Sequence, residues 1–357
     1  MFLSDDDLQH YQETIAKAIN WLRQNNAELM AMADVSSHYK APYLYAATGA
    51  RLRARQHVEL IVERYLQPDG DFRTHPDDPG WPQEPAGPAN RYVYADSWLI
   101  MGFHKLGLYG VAHRALEFVK GLQDPELGGF RSRFDPASGQ IEKRYLDVSS
   151  TSIAGLALLA CGQIADAVRA GEFVLRVLNA QPDWERYYFT SWDAEQGLMT
   201  DVSGEEELTA LRGRKQFCVS AETDAASEPT WMIGLAMTFL GRLLDASRDD
   251  RFGQGAQKLF DFFHKLDEAR WQNPASCKIM WGASELYRLT RKPRYGETAK
   301  RILDSFCESQ YDWGGWVHTM WFAGPDEQPF SATADMIYEL GGEISDTVFN
   351  LSGSQSA

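Results

Sequence analysis

The sequence predicts an all-α protein with an (α/α)6 toroid fold, in which six helical hairpins form an inner and an outer ring of helices. Three observations support this prediction. Helix-length segments recur at near-constant spacing, and segments that are apolar on all sides alternate with amphipathic ones. No linker or break in composition divides the 357 residues, so we expect residues 1–357 to form one toroid domain with a flexible tail from about residue 350.

The clearest repeat is shared by segments 107–118 and 162–173, which both read G-x4-A-x-R-A-x-E-F and start 55 residues apart. A weaker copy starts at Gly49, and a second signature, R-x-x-R-[FY]-G, starts at Arg248 and at Arg291. The glycine that starts each copy suits the left-handed residue that ends a helix. A glutamine followed by an aromatic-rich turn ends each copy and recurs near the C-terminus, at Gln67, Gln123, Gln181 and Gln310. We therefore interpret each repeat as one helical hairpin.

Counting the apolar and the amphipathic segments gives six helices of each kind. The apolar segments must be buried on every side and are assigned to the inner ring; they lie near 39–48, 92–106, 148–160, 228–244, 274–289 and 330–341. The amphipathic segments are assigned to the outer ring and lie near 6–25, 53–66, 108–122, 163–180, 251–266 and 294–309. Two connections, roughly 67–91 and 182–226, exceed ordinary loop lengths and are expected to form lids or pocket walls.

Composition excludes several classes of function. A net charge of −15 argues against nucleic acid and anionic membranes as partners, because phosphate binding needs clustered Lys and Arg. The N-terminus lacks the features of a signal peptide, and no apolar run is long enough to span a bilayer. The four cysteines lie far apart without a C-x-x-C pair. We expect a cytoplasmic protein with a small-molecule substrate, and homo-oligomerisation is left open.

The motif around Phe118, Gln123 and Phe130 resembles the QW motif of the terpenoid cyclase and protein prenyltransferase toroid superfamily, and Gln67 and Gln310 begin similar turns. The resemblance covers nearly the whole chain in phase. It implies a structural role, in which the glutamine amide caps a neighbouring helix terminus and the aromatic ring packs on it. The superfamily's D-x-D-D, D-D-x-x-D and zinc-ligand signatures are absent. The R-Y-G-x-x-A hairpins are also similar to those of six-hairpin glycosidases and sugar 2-epimerases, although paired pocket histidines are not evident.

In such a toroid the inner helices begin at one shared mouth, where helix dipoles and backbone amides favour anionic groups. Aromatic and ionisable residues are dense at these helix starts. The side chains predicted to bind substrate are His38, Lys40, Tyr43, Tyr92, Tyr94, Trp98, Arg144, Asp147, Trp231, Trp281, Trp316 and Trp321. The candidates for catalysis are Asp96, Glu222, Asp224, Glu228, Lys278 and His318.

Asp96 is the first choice for a general acid or base, because burial among aromatic rings would raise the pKa of its carboxyl group. Glu222, Asp224 and Glu228 form the densest carboxylate group and could divide acid and base roles. Lys278, like Lys40, lies in the first turns of an inner helix, where a cation opposes the helix dipole and usually meets a carboxylate or an anionic substrate.

Each of these residues also has a structural interpretation. The carboxylates could cap helices, the aromatic rings could fill the barrel, and His318 could be a satisfied polar group. Since no pair of residues has metal-ligand spacing and no nucleotide-binding motif occurs, the sequence predicts neither a metal nor a cofactor.

Three functions remain open. The leading hypothesis is a cofactor-independent isomerase or cyclase that acts on a small, largely apolar, unsaturated metabolite. The second is a carbohydrate enzyme, namely a hydrolase, lyase or sugar epimerase with aromatic platforms for sugar rings. The third is a toroid that binds a small molecule without catalysis.

Overall fold

The computed structural model describes residues 2–73, 91–131, 134–135, 140–141, 144–200, 218–320 and 322–353. Helices dominate these ranges. In chain order they are α1 (Asp5–Gln24), α2 (Asn26–Ala31), α3 (Ala41–Thr48), α4 (Arg51–Tyr65), α5 (Arg91–Lys105), α6 (Tyr109–Lys120), α7 (Val148–Ala160), α8 (Ile164–Asn179), α9 (Trp231–Ser247), α10 (Asp250–Phe263), α11 (Cys277–Thr290), α12 (Pro293–Glu308) and α13 (Phe330–Ser352). Within these ranges, every helix is too short or too polar to span a bilayer.

Six helices form a closed inner ring, because each contacts the next and the last contacts the first. Their order around the ring is α3, α5, α7, α9, α11 and α13. Each outer helix packs against an inner one, so α4, α6, α8, α10 and α12 follow their inner partners and α1 packs on α13. The inner helix α7 is buried on all sides from Val148 to Leu158, whereas α8 buries one face. The predicted (α/α)6 toroid is therefore confirmed.

The inner helices end at one face of the ring, where short turns lead to the outer helices. All six inner helices end with a residue of left-handed backbone conformation. These residues are Gly49, Gly107, Gly162, Arg248, Arg291 and Gly353, with φ between 56° and 79°. The left-handed glycines predicted from the repeats are thus observed, and the arginines of the second signature occupy the same position. The inner helices begin at the opposite face, which we call the mouth.

Three of the glutamine turns join an outer helix to the next one around the ring. Gln123 Nε2 donates to the Asp166 carbonyl in α8 at 3.0 Å, and Gln310 Nε2 donates to the Thr14 carbonyl in α1 at 2.9 Å. Both acceptors lie within the neighbouring helix rather than at a terminus that needs a cap. A glycine of each of three turns rests on a backbone carbonyl of the next outer helix, as Gly70 does on Arg114, Gly128 on Arg169 and Gly314 on Lys17. The last of these contacts joins α12 to α1 and closes the outer ring.

The described residues contain seven short strands: β1 (Phe134–Asp135), β2 (Gln140–Ile141), β3 (Tyr145–Asp147), β4 (Tyr187–Phe189), β5 (Ser191–Asp193), β6 (Gly197–Leu198) and β7 (Cys218–Ser220). They pair antiparallel as β1–β2, β3–β5–β6 and β4–β7. β1–β3 lie in the connection from α6 to α7, and β4–β7 lie in the connection predicted at 182–226. The sheet β3–β5–β6 therefore joins these two connections next to the start of α7, because β3 runs directly into that helix.

The last inner helix is longer than the sequence predicts. The prediction ended near 341 at the pair Gly341–Gly342, whereas α13 continues to Ser352. The glycines do not end the helix. They let it approach α3, since a Cβ at Gly341 would lie 2.7 Å from the Leu44 side chain and one at Gly342 would lie 3.1 Å from Tyr43. The helix thus includes the first residues of the tail expected to be flexible, and residues 354–357 lie outside the described ranges.

Candidate functional site

Two lysines and three carboxylates meet near the mouth of the ring. Lys40 immediately precedes α3, Lys278 lies in the first turn of α11, and α13 lies between these two helices. The carboxylates stand one turn apart along α13, at Asp335, Glu339 and Glu343. Residues four apart on a helix share one face, so α13 presents a carboxylate stripe to a lysine on each side. We call these five residues the lysine–carboxylate cluster.

The contacts within the cluster are direct. Lys40 Nζ donates to Asp335 Oδ2 at 2.7 Å and to Glu339 Oε2 at 2.6 Å. Lys278 Nζ contacts the other oxygen of Glu339, Oε1, and also Glu343. Glu339 therefore bridges the two lysines with one oxygen each. The side chains become more accessible toward the mouth, from 0% exposed at Glu343 to 14% at Glu339 and 31% at Asp335.

The pKa values of the three carboxyl groups in the cluster are shifted in different directions. Burial favours the neutral form of Glu339, but Lys278 and Lys40 outweigh burial and lower the pKa of that carboxyl group. Burial raises the pKa of Asp335 above its usual value, with Lys40 opposing the shift. Burial also raises the pKa of Glu343 to about 7. Glu339 is thus held as an anion, while its neighbours bind protons more readily than ordinary carboxyl groups.

Both lysines remain charged in this setting. Burial alone would lower the pKa of each, but the carboxylates outweigh it, so the pKa values of Lys40 and Lys278 lie well above that of free lysine. Each ammonium group is paired with two carboxyl groups and is at most 3% exposed. The net charge of the cluster therefore depends on the protonation of Asp335 and Glu343, and it is positive only when both are neutral.

Below the cluster, aromatic rings fill the centre of the ring of helices. Trp98 of α5 and Trp281 of α11 stack at 5.7 Å between centroids, although their helices lie on opposite sides of the inner ring. Tyr43 packs edge-on against Trp98 at 5.0 Å, and Lys278 Nζ lies 5.0 Å from the centre of the Trp98 ring. We call Tyr43, Trp98 and Trp281 the aromatic plug. All three are at most 1% exposed, so the plug separates the cluster from the opposite end of the barrel.

A second ionic network lies on the far side of the plug. Asp346 of α13 accepts from the Tyr43 hydroxyl, from Lys105 Nζ at 3.1 Å and from Arg242 at 3.3 Å. Arg242 also donates to Glu285 at 2.8 Å. These contacts join α3, α5, α9, α11 and α13. Since the network satisfies its own charges and lies where the inner helices end, we assign it a structural role.

Two tyrosines border the cluster on the side of the mouth. Tyr39 and Tyr94 are 6.0 Å apart in an edge-to-face arrangement, and Lys40 Nζ lies 5.0 Å from the centre of the Tyr39 ring. Burial raises the pKa of both phenols, so they stay protonated at neutral pH. Tyr94 is partly accessible and offers a ring face next to the charged groups.

The structure brings together a subset of the residues that the sequence analysis selected for substrate binding and catalysis. The members that meet in or beside the cluster and plug are Lys40, Tyr43, Tyr94, Trp98, Lys278 and Trp281. The sequence analysis did not select the carboxylates of α13, because it considered only the first residues of each inner helix, and ending that helix near Gly341 also left Glu343 outside it. Their signal was the four-residue spacing of acidic residues in an otherwise apolar inner helix, at Asp335, Glu339 and Glu343.

Asp96 lies away from the cluster. It is two residues from Trp98, which places it about 200° around the helix, and it interacts with Asp71 in the turn that follows α4. Burial and the nearby Asp71 carboxyl raise the pKa of Asp96 well above its usual value. Burial raises the pKa of Asp71 to about 6, with Asp96 and Arg73 opposing the shift. The pKa is raised as the sequence analysis expected, but this pair lies between the inner and outer rings, which corrects the placement of Asp96 among pocket rings.

The predicted carboxylate group at 222–228 serves the connection before α9. Glu222 is exposed and binds Arg186 at 2.6 and 2.7 Å. Asp224 accepts from the Ala226 amide and caps a short 3-10 helix, Ala225–Ser227. Glu228 is buried and accepts from the Ser220 amide at 2.8 Å, which ties the connection to β7. Of the three residues Asp224 caps a helix, while the ion pair of Glu222 and the strand contact of Glu228 favour structural roles of other kinds.

The two predicted histidines lie in structural settings. His38 is buried, its Nε2 lies 3.1 Å from the Met32 carbonyl, and burial lowers the pKa of its imidazole. The backbone amide of His318 donates to Gln328 Oε1 at 2.7 Å. Neither residue has a contact with the lysine–carboxylate cluster among the interactions of the described residues.

The remaining predicted binding residues are spread around the ring. Trp316 donates from its indole to the Phe306 carbonyl at the end of α12, the structural role that the QW-like motif implies. Arg144 binds Asp193 at 2.5 Å, and Asp147 caps α7 by accepting from Ser150 N at 2.7 Å. Trp231, partly buried, is the first residue of α9. Trp321 and the side chain of Tyr92 lie outside the described part of the structure.

The comparisons with known proteins agree on the fold. No family model and no curated protein sequence matches the chain. A D-mannose isomerase has a TM-score of 0.61 at 10% identity, with 88% of this chain and 86% of that chain covered. A family 76 α-mannanase from Bacteroides thetaiotaomicron has a TM-score of 0.61 at 11% identity, covering 94% and 95%. The type II terpene cyclase MstE from Scytonema has a TM-score of 0.56 at 14% identity, covering 98% and 100%. The resemblance to toroid enzymes that include a terpene cyclase is therefore confirmed at the level of the fold.

Proposed function

We propose that this protein is a cofactor-independent isomerase or epimerase of sugars, which moves a proton at a carbon next to a carbonyl group. The observation that carries the proposal is the lysine–carboxylate cluster at the mouth, with Asp335 partly accessible and two lysines fixed as cations beside it. Hydroxyl-rich ligands are recognised by hydrogen bonds to well-placed polar and charged groups, which the cluster supplies. Solved structures of similar fold include a D-mannose isomerase and a sugar epimerase, which supports the same substrate class.

In the proposed reaction, Asp335 is the group that transfers the proton. It binds Lys40 through one oxygen, its pKa is raised, and it is the most accessible carboxyl group of the cluster. A carboxylate in this position removes the proton from the carbon next to the carbonyl and returns it to the opposite face of the same carbon (epimerisation) or to the former carbonyl carbon (isomerisation). In the second case the proton of the neighbouring hydroxyl group passes to the former carbonyl oxygen. Lys40 and Lys278 stabilise the negative charge that develops on the carbonyl oxygen. Glu339 is a positioning residue that holds both ammonium groups in place.

The distance between the carboxyl groups of the cluster does not fit an inverting glycosidase. Such enzymes need about 6.5–9.5 Å between two carboxyl groups to admit the attacking water. Asp335 and Glu339 both bind the single Nζ of Lys40, at 2.7 and 2.6 Å, which holds their oxygens closer together than that range. Proton transfer by one carboxyl group has no such requirement.

The cyclase hypothesis, which led the sequence analysis, takes second place. It is supported by the fold likeness to the terpene cyclase and by the aromatic rings of the interior. A largely apolar substrate, however, needs an apolar cavity inside the barrel, and the aromatic plug fills its centre. The indole faces are also already engaged by cations, because Lys278 lies over Trp98 and Arg242 lies over Trp281.

The test is solvent proton exchange. The protein is incubated in D2O with a panel of aldoses, ketoses and reducing disaccharides, and NMR follows deuterium uptake at the carbon next to the carbonyl. For a sugar that exchanges, we expect Asp335→Asn to slow exchange by about 10²–10⁴-fold, the usual contribution of a general acid or base.

Asp224→Asn is the matched control, because asparagine also caps a helix and Asp224 lies outside the cluster. It should leave the exchange rate within about twofold of the parent. Thermal unfolding of both variants shows whether the fold is intact. Exchange that survives Asp335→Asn in a folded protein would contradict the assignment, and turnover of polyprenyl substrates alone would favour the cyclase hypothesis.

A further inference from the structure

Two histidines and a cysteine meet on the face opposite the mouth. His104 lies in the last turn of α5, His113 lies in the second turn of α6, and Cys161 is the residue that follows α7. One potential ligand atom of each side chain lies within 4.8 Å of the corresponding atoms of the other two side chains. The three residues belong to two neighbouring hairpins. They lie 9 and 48 residues apart in the sequence, so no ligand-spacing motif could reveal them.

The donor set is one that transition metals prefer. Imidazole nitrogen and thiolate sulfur are the usual ligands of Zn²⁺, and three protein ligands plus water form a tetrahedral site. With zinc–nitrogen bonds of about 2.0–2.1 Å and a zinc–sulfur bond of about 2.3 Å, the ligand atoms of such a site lie about 3.3–3.6 Å apart. The observed group, within 4.8 Å, needs to close by at most about 1.5 Å. Because His113 is exposed, rotation of its side chain can provide that movement.

The surroundings leave these side chains available. Within the described ranges, no hydrogen bond engages the two imidazole rings or the thiol, and Cys161 forms no disulfide. The His104 ring packs edge-on against Tyr109 at 4.8 Å between centroids and lies 6.4 Å from the His113 ring. The site also lies where α5 and α7 end, and the carbonyl ends of helices favour a cation.

We propose that His104, His113 and Cys161 form a binding site for Zn²⁺, with a water molecule as the fourth ligand. Binding forms one zinc–sulfur and two zinc–nitrogen bonds, and the thiol proton of Cys161 is released to solvent. The ion would join the second and third hairpins on the face where the lysine–carboxylate cluster is absent. The site is therefore independent of the proposed isomerase reaction.

The experiment uses the full chain without an affinity tag, with zinc removed by a chelator. Zn²⁺ is titrated in competition with a chromophoric chelator, and Co²⁺ is added separately as a spectroscopic probe. We expect one equivalent of Zn²⁺ to bind and Co²⁺ to give a thiolate-to-metal charge-transfer band. Cys161→Ser should abolish that band, and Cys161→Ser, His104→Ala and His113→Ala should each weaken zinc binding at least tenfold.

The control is His10→Ala, which removes an exposed histidine from α1, far from the site. It should bind zinc as the parent does. Thermal unfolding of each metal-free variant shows whether the fold is retained, and saturating zinc should raise the melting temperature of the parent but not of Cys161→Ser. Equal zinc affinity in the parent and Cys161→Ser, or a cobalt complex without a thiolate band, would overturn the proposal.

Discussion

At the scale of single residues, Lys278 shows why the interior of this toroid is unusual. Burying an ammonium group costs several kcal/mol unless partner carboxylates compensate. Lys278 is 1% exposed, and it contacts Glu339 and Glu343 while its ammonium group lies over the Trp98 ring. An apolar side chain of similar size would fill the space without that cost. The charged arrangement is therefore better explained by the chemistry proposed at the mouth than by stability.

The Asp71–Asp96 pair leads to a prediction about stability and pH. A carboxyl group whose pKa is raised by folding stabilises the protein at low pH, and this contribution is lost as pH rises from the unfolded value through the folded one. For Asp71 this window runs from 3.8 to about 6, and the pKa of Asp96 is raised as well. We expect Asp96→Asn, a neutral isostere, to flatten the fall in unfolding free energy over this window and to stabilise the protein by about 2 kcal/mol at pH 7.

Urea denaturation between pH 4 and pH 8 measures the effect, with Asp224→Asn as the exposed control. A loss of stability at pH 7, or an unchanged pH dependence of the unfolding free energy, would contradict a raised pKa of Asp96 in the folded protein. The sugar-exchange rate of Asp96→Asn should equal that of the parent, because Asp96 lies outside the cluster. A large loss of exchange would instead restore Asp96 as the catalytic group that the sequence analysis preferred.

At the scale of helices and turns, the sequence patterns were informative where a local rule decides the structure. Gly49, Gly107 and Gly162 were correctly assigned to left-handed helix ends, because glycine adopts positive φ without steric cost. The rule failed at Gly341 and Gly342, where glycine serves close helix packing instead. The pattern alone does not distinguish these two uses of glycine, and this explains why Glu343 was left outside the predicted helix.

Arg248 provides a test of the left-handed helix ends. It has φ of 60° where equivalent positions have glycine, and a residue with a Cβ pays about 1 kcal/mol in this conformation. We expect Arg248→Gly to be more stable than Arg248→Ala by about 1 kcal/mol, measured as unfolding free energy in urea. Both variants lose the exposed ion pair with Asp245, so their difference isolates the backbone effect. Equal stability of the two variants would contradict the argument.

At the scale of the whole molecule, the regular spacing of the repeats was sufficient to predict a ring. Hairpins of similar length, each with one helix that is apolar on all sides, bury those helices completely when they close into a ring. The site was less predictable. Lys40 and Lys278 were selected because a cation at the start of an apolar helix is locally anomalous. Their partners on α13 could not be identified, since the contact between α13 and its neighbours exists only once the ring has closed.

Closure of the ring also makes the choice of chain ends arbitrary. Gly353 at the end of α13 has the same left-handed conformation as the residues that lead from inner to outer helices elsewhere. Phe2 packs on Tyr287 of α11 at 4.8 Å, and Gly353 lies beside the Arg291 side chain at the end of that helix. Both ends of the described chain are therefore near the same corner of the face opposite the mouth.

We expect a circular permutant to fold. Residues 2 and 353 are joined by a short glycine–serine linker, and the chain is opened between Gly162 and Gln163, in the turn from α7 to α8. If the six hairpins are equivalent, the new linker replaces one short turn and the opening removes another, so the melting temperature should fall by only a few degrees, as expected for about 1–2 kcal/mol. A control permutant opened between Ala154 and Gly155, within the buried helix α7, should fail to fold. Failure of both permutants would mean that the turn between α7 and α8 is essential to the ring in a way that the repeat does not explain.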